Sequence, residues 1–95
     1  MSDLTVQVIC GFGVGSSTLL KIKIQSALRE LGAQATVFTG DVASGASAHC
    51  DVIFTTKELA ETLKGSARVP IIAIYNLVDT AEIKGKMEAF LQTRQ

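Results

Sequence analysis

The chain has 95 residues, with nine basic and nine acidic side chains and therefore no formal net charge. This length predicts one domain, residues 1–95, and a 47% hydrophobic content is enough for one core without disulfide or metal staples. The balanced charge argues against a nucleic-acid binder. No apolar run approaches the roughly 20 residues that span a bilayer, and Met1-Ser2-Asp3 does not resemble a signal peptide. We therefore expect a cytoplasmic domain that does not insert into a membrane.

Hydrophobic patterning divides the chain into alternating strands and helices. The predicted strands are rich in β-branched residues, and the predicted helices have apolar residues at helical spacing. Thr55 and Asp79 each precede a glutamate by three residues, Glu58 and Glu82, which is the spacing of a capping box. In chain order the predicted elements are a strand over Leu4–Cys10, a helix from about Ser16 to Leu31, strands over Ala35–Thr39 and Asp51–Thr56, a helix capped by Thr55 that runs to about Lys64, a strand over Pro70–Tyr75, and a C-terminal helix opened by Asp79.

This alternation predicts an α/β fold, a three-layer open sheet of four parallel strands with helices on both faces and strand order 2-1-3-4. Such a fold is similar to Rossmann-like domains and to low-molecular-weight phosphatases. Ligands bind beyond the carboxyl ends of such strands, where the strand order reverses, and here that point is Cys10. The same edge is expected to hold Gly40-Asp41, Thr55-Thr56 and Tyr75-Asn76.

The segment Cys10-Gly-Phe-Gly-Val-Gly-Ser-Ser17 combines a thiol at a strand end with three alternate glycines and two hydroxyls that open a helix. Glycine-rich backbone and a helix N-terminus are suited to hold a tetrahedral oxyanion, and the same field favours a thiolate. Cys10 is therefore the candidate nucleophile, carrying a phosphoryl group. Lys21, one turn further along the helix, is a candidate for electrostatic support. The expected phosphate-binding residues are Gly11, Phe12, Gly13, Val14, Gly15, Ser16 and Ser17.

Other functions compete for this loop. The dinucleotide pattern has Ser16 where its third glycine belongs, and the phosphate loop of nucleotide hydrolases needs a Gly-Lys-Ser/Thr end that is missing. A cysteine phosphatase needs an arginine six residues after its cysteine, where Ser16 stands, and an Asp-Pro acid, whereas Pro70 follows Val69. Without these groups a phosphothiol is held and not hydrolysed. A phosphatase, an arsenate-reductase-like enzyme and a non-catalytic anion or nucleotide-binding module remain alternatives.

Several of these side chains also have a purely structural interpretation. The glycines suit a tight turn, Ser16 and Ser17 suit a helix N-cap, and Lys21 suits a solvated helix face. The beginning of the third strand lies at the sheet edge opposite Cys10, so we expect structural roles there for His49, Cys50 and Asp51, with Cys50 a buried, inert thiol. Four apolar residues beside the thiol are candidates for a partner-docking patch or for packing against the loop of the 40s: Phe12, Val14, Leu19 and Ile22.

The Cys10–Ser17 segment resembles the beginning of the IIB component of the bacterial sugar phosphotransferase system (PTS), in the ascorbate/galactitol branch of the lactose/cellobiose IIB superfamily. The resemblance extends to Lys21-Ile-Lys23, to the Ala-rich loop before Asp51-Val-Ile53, and to Asn76-Leu77 with the Ile83–Lys86 stretch after it.

This resemblance implies that Cys10 accepts a phosphoryl group from a phosphohistidine on a IIA protein. The group then passes to a sugar, L-ascorbate or a related sugar or polyol, held by a membrane IIC permease. The chain would be a protein-phosphohistidine:sugar phosphotransferase component that needs no cofactor or metal. It would be cytoplasmic and only transiently associated with the inner face of the membrane, through IIC.

Overall fold

The computed structural model describes residues 4–9, 14–40, 49–65, 67–76 and 79–93, with the backbone alone described for 14–17. The predicted elements are present in these ranges, with ends that differ from the sequence prediction by one or two residues. In chain order they are β1 (Leu4–Ile9), α1 (Val14–Glu30), β2 (Ala35–Gly40), β3 (Val52–Thr56), α2 (Lys57–Leu63), β4 (Ile71–Ile74) and α3 (Thr80–Thr93). Cys10, predicted as the last residue of the first strand, lies outside the described residues.

The four strands form one parallel sheet in the order β2-β1-β3-β4, which confirms the predicted topology. Val6 of β1 is opposite Val37 of β2 and Val52 of β3. The chain leaves β1 towards one edge to form β2 and then returns to the other side of β1 to form β3. The strand order therefore reverses at β1, and Ile9 lies at the carboxyl end of that central strand.

Helices cover both faces of the sheet, as predicted. One face packs against α1 and α3, and the other packs against α2. None of the helices in the described ranges combines the length and the apolar content needed to cross a membrane. The larger core includes Val6, Val8 and Phe54 from the sheet, Leu20 and Ile24 from α1, and Ile83 and Met87 from α3. The smaller core includes Ile9, Cys50, Ile53 and Leu63.

The prediction that Thr55 caps the second helix is wrong. Thr55 belongs to β3, where it is opposite Ile9 on one side and Ala73 on the other. Thr56 is the N-cap, and its side chain makes no capping hydrogen bond. Strand pairing on both sides of β3 holds Thr55 in extended backbone, so the sheet overrides the local capping signal.

The capping prediction for the last helix is half right. The backbone N–H of Glu82 donates to Asp79 Oδ1 at 3.1 Å, as a capping box requires. The Glu82 carboxylate does not return to Asp79 in the predicted manner. It accepts hydrogen bonds from the backbone N–H groups of Tyr75, at 2.7 Å, and Asn76, at 3.0 Å. Glu82 thereby ties the first turn of α3 to the carboxyl end of β4.

Candidate functional site

The carboxyl edge of the sheet surrounds the end of β1. Ile9 is opposite Gly40 at the end of β2 and opposite Thr55 near the end of β3. Cys10 follows Ile9 in the chain, and four residues connect β1 to α1. Of the predicted site residues, Cys10, Gly11, Phe12 and Gly13 lie outside the described residues.

The first turn of α1 contains the second half of the glycine-rich segment. The helix begins at Val14, two residues earlier than predicted, so Ser16 and Ser17 lie inside the helix. Their interpretation as N-cap residues is therefore wrong. The first N–H groups of a helix have no intrahelical acceptor, and α1 has no acidic side chain in its first turn to neutralise them. This end of α1 is suited to an anion.

Two threonine hydroxyls are buried at the end of β3. Thr55 is fully buried and Thr56 is 4% exposed. Neither Oγ1 atom has a hydrogen-bond partner among the described residues. Sequence reasoning assigned both residues to this edge but missed the unpaired hydroxyls, because it had assigned a capping bond to Thr55. A buried hydroxyl without a partner is uncommon and calls for an explanation.

An aromatic ring and two ammonium groups occupy the end of β4. Tyr75 is 68% exposed, and its ring centroid lies 4.6 Å from Lys86 Nζ and 5.4 Å from Lys57 Nζ. Lys86 Nζ also donates to Ala73 O at 2.5 Å and to Glu82 Oε2 at 2.6 Å. Cation–π contacts of this kind at an exposed ring are worth about 0.5–1 kcal/mol.

The environment of Glu82 favours its ionised form. Burial of its carboxyl group opposes ionisation, but the hydrogen bonds from Lys86 and from the N–H groups of Tyr75 and Asn76 outweigh this, so its pKa is lowered. The carboxylate therefore acts as a charged acceptor that fixes the turn between β4 and α3. This turn borders the same sheet edge as Ile9.

The outer surface of α1 carries the part of the predicted docking patch that the structure describes. Leu19 is 38% exposed and Ile22 is 54% exposed, as expected for residues off the buried stripe. Lys21 is half-buried, and Lys23 Nζ donates to Thr80 Oγ1 of α3 at 3.4 Å. Phe12 and the side chain of Val14 lie outside the described part of the chain.

The opposite edge of the sheet holds the residues that were expected to be structural. The backbone N–H of Asp51 donates to Thr5 O at 2.8 Å, and the N–H of Thr5 donates to Asp51 Oδ2 at the same distance. His49 is exposed. These contacts place the start of β3 beside the start of β1, away from Ile9.

Cys50 at this opposite edge is buried, with 7% of its surface exposed, which confirms that prediction. Its Sγ accepts a hydrogen bond from Gln7 Nε2 at 3.5 Å. Burial raises the pKa of the Cys50 thiol. The hydrogen bond from Gln7 lowers this pKa in part, and the nearby charge of Asp51 raises it further. A protonated, buried thiol is a poor nucleophile.

A parallel 2-1-3-4 sheet with helices on both faces defines the chain as an open α/β domain, a class in which ligands bind beyond the carboxyl ends of the strands where the strand order reverses. The model of the family "PTS system, Lactose/Cellobiose specific IIB subunit" matches residues 5–89. The chain therefore belongs to this family and is a IIB component of a sugar phosphotransferase system, as the Cys10–Ser17 segment indicated. PTS IIB components work with IIA and IIC partners.

One curated relative and one solved structure extend the comparison. The "Ascorbate-specific PTS system EIIB component" of Mycoplasma pneumoniae is 31% identical over 91 residues, which are 94% of this chain and 96% of that protein. The lactose-specific IIB component domain from Streptococcus pneumoniae has a TM-score of 0.61 and 18% identity, with 99% of this chain and 100% of that chain covered. The solved structure confirms the fold.

Proposed function

We propose that the protein carries a phosphoryl group on Cys10, from a phosphohistidine of a IIA protein to a sugar bound by a IIC permease. One observation carries the proposal. In this domain of the IIB family, Cys10 directly follows Ile9, the last residue of β1, and β1 is the strand at which the strand order reverses. The beginning of α1 four residues further on, without an acidic side chain, supports the binding of a phosphoryl group there.

Each transfer exchanges one bond to phosphorus for another. In the first, the Cys10 thiolate attacks the phosphorus of the phosphohistidine, so an S–P bond forms and the N–P bond breaks. The imidazole leaves with the electron pair, and the proton given up by the thiol balances it. In the second, a sugar hydroxyl oxygen attacks phosphorus, an O–P bond forms, the S–P bond breaks and the thiolate is regenerated. The hydroxyl proton passes to a base outside this chain.

L-Ascorbate or a related sugar or polyol is the proposed substrate. This choice rests on the ascorbate specificity of the Mycoplasma pneumoniae relative, to which the chain is 31% identical over nearly its whole length. In this division of labour the sugar is bound by the membrane permease, so the IIB domain needs only the nucleophile and surfaces for its two partners. We propose that it works in the cytoplasm and associates transiently with the inner face of the membrane through IIC.

A carrier accounts for the sequence better than a phosphatase or an arsenate-reductase-like enzyme. Ser16 stands where a cysteine phosphatase has its arginine, and this position lies within the first turn of α1. Hydrolysis also needs an acid and a base to drive the attack of water. A phosphothiol without these groups persists long enough to meet a second protein. A non-catalytic anion-binding module has no need of a thiol at this position.

Exposed apolar residues on α1 are the proposed docking surface for the protein partners. Leu19 is the sixth of the 17 residues of α1 and Ile22 is the ninth, so the two exposed side chains lie between the start of the helix and its middle. Phe12 and Val14 complete this patch in the proposal, and Lys21 adds positive potential close to the phosphoryl group. A small contact of this kind suits a carrier, because rapid turnover requires both partners to dissociate quickly.

Phosphoryl transfer to Cys10 is tested with a IIA protein of the ascorbate-specific class that carries ³²P on its histidine. We expect one stable phosphoryl group on the unaltered chain by intact mass, none on Cys10→Ser, and normal labelling of the matched control Cys50→Ser. Label that survives Cys10→Ser would contradict the proposal. Release of inorganic phosphate from an aryl phosphate ester would favour the phosphatase. Membrane vesicles containing IIC then compare ascorbate with galactitol and cellobiose as acceptors.

A further inference from the structure

We infer that the Thr56 hydroxyl donates a hydrogen bond to a phosphoryl oxygen on Cys10, an inference that rests on the proposed function. The β1–β3 register supports it first. Ile9 of β1 is opposite Thr55 of β3, and Cys10 and Thr56 are the residues that follow this pair in the sequence. Adjacent strands are about 4.8 Å apart, which is within reach of a side-chain hydroxyl and a group on the neighbouring residue.

The second support is the face of the sheet on which the Thr56 side chain lies. Side chains alternate along a strand, and Thr56 has extended backbone with φ −76° and ψ 162°, so it shares a face with Phe54. Phe54 belongs to the core that packs against α1. The helix α1 packs on this same face and begins at Val14, four residues after Cys10 in the sequence.

The unpaired state of the hydroxyl is the third support. Thr56 is 4% exposed, and its Oγ1 has no partner in the described ranges. Burial removes water from the hydroxyl, and that free-energy cost is not offset within the described residues. A phosphoryl oxygen is a strong acceptor for such a donor, and a donor aligned in advance stabilises charge in the transfer without reorganisation.

Thr55 provides the matched comparison. Like Thr56 it is buried, with no hydrogen-bond partner for its Oγ1 among the described residues, but alternation puts it on the face of Ile53, which packs against Leu63 of α2. Its hydroxyl is therefore directed away from the face that carries α1. Replacement of either threonine by valine removes a hydroxyl and keeps the side-chain shape, so neither change should lower the thermal stability.

The test compares the single-turnover rate of ³²P transfer from phosphorylated IIA to the full chain and four variants. We expect Thr56→Val and Thr56→Ala to be slower by at least about tenfold, Thr56→Ser to stay within about threefold of the parent, and Thr55→Val to match it. Thermal unfolding of each variant verifies its folding, and Thr56→Ala extends the test to a smaller side chain.

The outcomes separate this inference from the function on which it rests. Transfer at the parental rate by Thr56→Val, or an equal loss in Thr55→Val, contradicts the role of Thr56 alone. Failure of the unaltered chain to accept any label contradicts the phosphocysteine carrier and removes the inference with it. Rescue by serine, which restores only a hydroxyl, supports a hydrogen-bonding role over a packing role.

Discussion

Gly40 lies directly against the buried side chain of Gln7. A Cβ atom at position 40 would overlap Gln7 Oε1 and approach Gln7 Cδ to 2.9 Å. Gln7 is 1% exposed and its Nε2 donates to Cys50 Sγ at 3.5 Å, so a displacement of this side chain would disturb a buried hydrogen bond. The end of β2 is therefore held close to β1 at the residue opposite Ile9, where the candidate site begins.

The substitution Gly40→Ala is expected to destabilise the protein by about 1–3 kcal/mol, because the added methyl group displaces a buried side chain. Urea unfolding measures this change. Gly85→Ala is the matched control: nothing lies within 4 Å of a Cβ at that helical position, so alanine should stabilise α3 by up to about 1 kcal/mol. In a Gln7→Ala background, Gly40→Ala should lower the free energy of unfolding by less than it does in the parent. An equal loss in both backgrounds would contradict the overlap with Gln7 as the cause.

Much of the fold is predictable because its signals are local. Gly32 ends α1 with φ 72°, a conformation that glycine adopts without strain, and its sequence position alone indicates this. The overlap of Gly40 with Gln7 is not predictable, because it depends on the packing of two strands. The misassigned cap at Thr55 has the same cause, since pairing with Ile9 and Ala73 is a non-local interaction.

The ionised Glu82 carboxylate should make stability depend on pH. Its pKa in the folded protein is lowered from 4.5. The stabilisation that the ionised carboxylate gives the folded protein is therefore fully present above about pH 4.5. It is lost as the pH falls through the lower pKa of the folded state. Glu82→Gln should lose about 1 kcal/mol at neutral pH and should unfold less steeply with acid than the parent. Thermal unfolding from pH 7 to about pH 3 measures both effects.

Glu88→Gln is the control for this measurement, because Glu88 is an exposed residue of the same helix. It should keep the parental stability at neutral pH and the parental loss in acid. If Glu82→Gln and Glu88→Gln show the same pH profile as the parent, the carboxylate bonds to Tyr75 and Asn76 contribute nothing measurable to stability.

Cys50 should be unreactive in the folded protein. Its burial and raised pKa keep the thiol protonated and away from solvent. In a Cys10→Ser background, reaction with a disulfide reagent such as DTNB at pH 8 should be at least about 100-fold slower for folded protein than in 6 M guanidinium chloride. Equal rates would show that the thiol is accessible at the start of β3.

The candidate site is predictable only in part, because some of its residues are far apart in the sequence and meet only in the folded chain. Cys10 and the glycines after it are adjacent in the sequence, so their combination is visible without a structure. The hydroxyl of Thr56 comes to the same edge through strand register, and the Glu82 bonds to β4 form through the turn before α3. Neither Thr56 nor Glu82 can be found from a sequence motif at a fixed distance from Cys10.

The exposed part of the docking patch can be tested on α1 without disturbing the core. Ile22 is 54% exposed, so Ile22→Gln should change the unfolding free energy by no more than about 0.5 kcal/mol. If Ile22 contacts IIA, the variant should raise KM for phosphorylated IIA by roughly fivefold, with kcat nearly unchanged, because the contact is lost equally from the encounter complex and the transition state.

Arg29→Ala is the matched control for Ile22→Gln, since Arg29 is an exposed residue in the last turn of the same helix, far from the carboxyl edge of the sheet. It should leave KM and kcat for phosphorylated IIA at their parental values. A patch that serves IIC alone would leave IIA kinetics unchanged in both variants and slow only the transfer to sugar in vesicles. Parental rates for Ile22→Gln in both half-reactions would contradict a docking role for this face of α1.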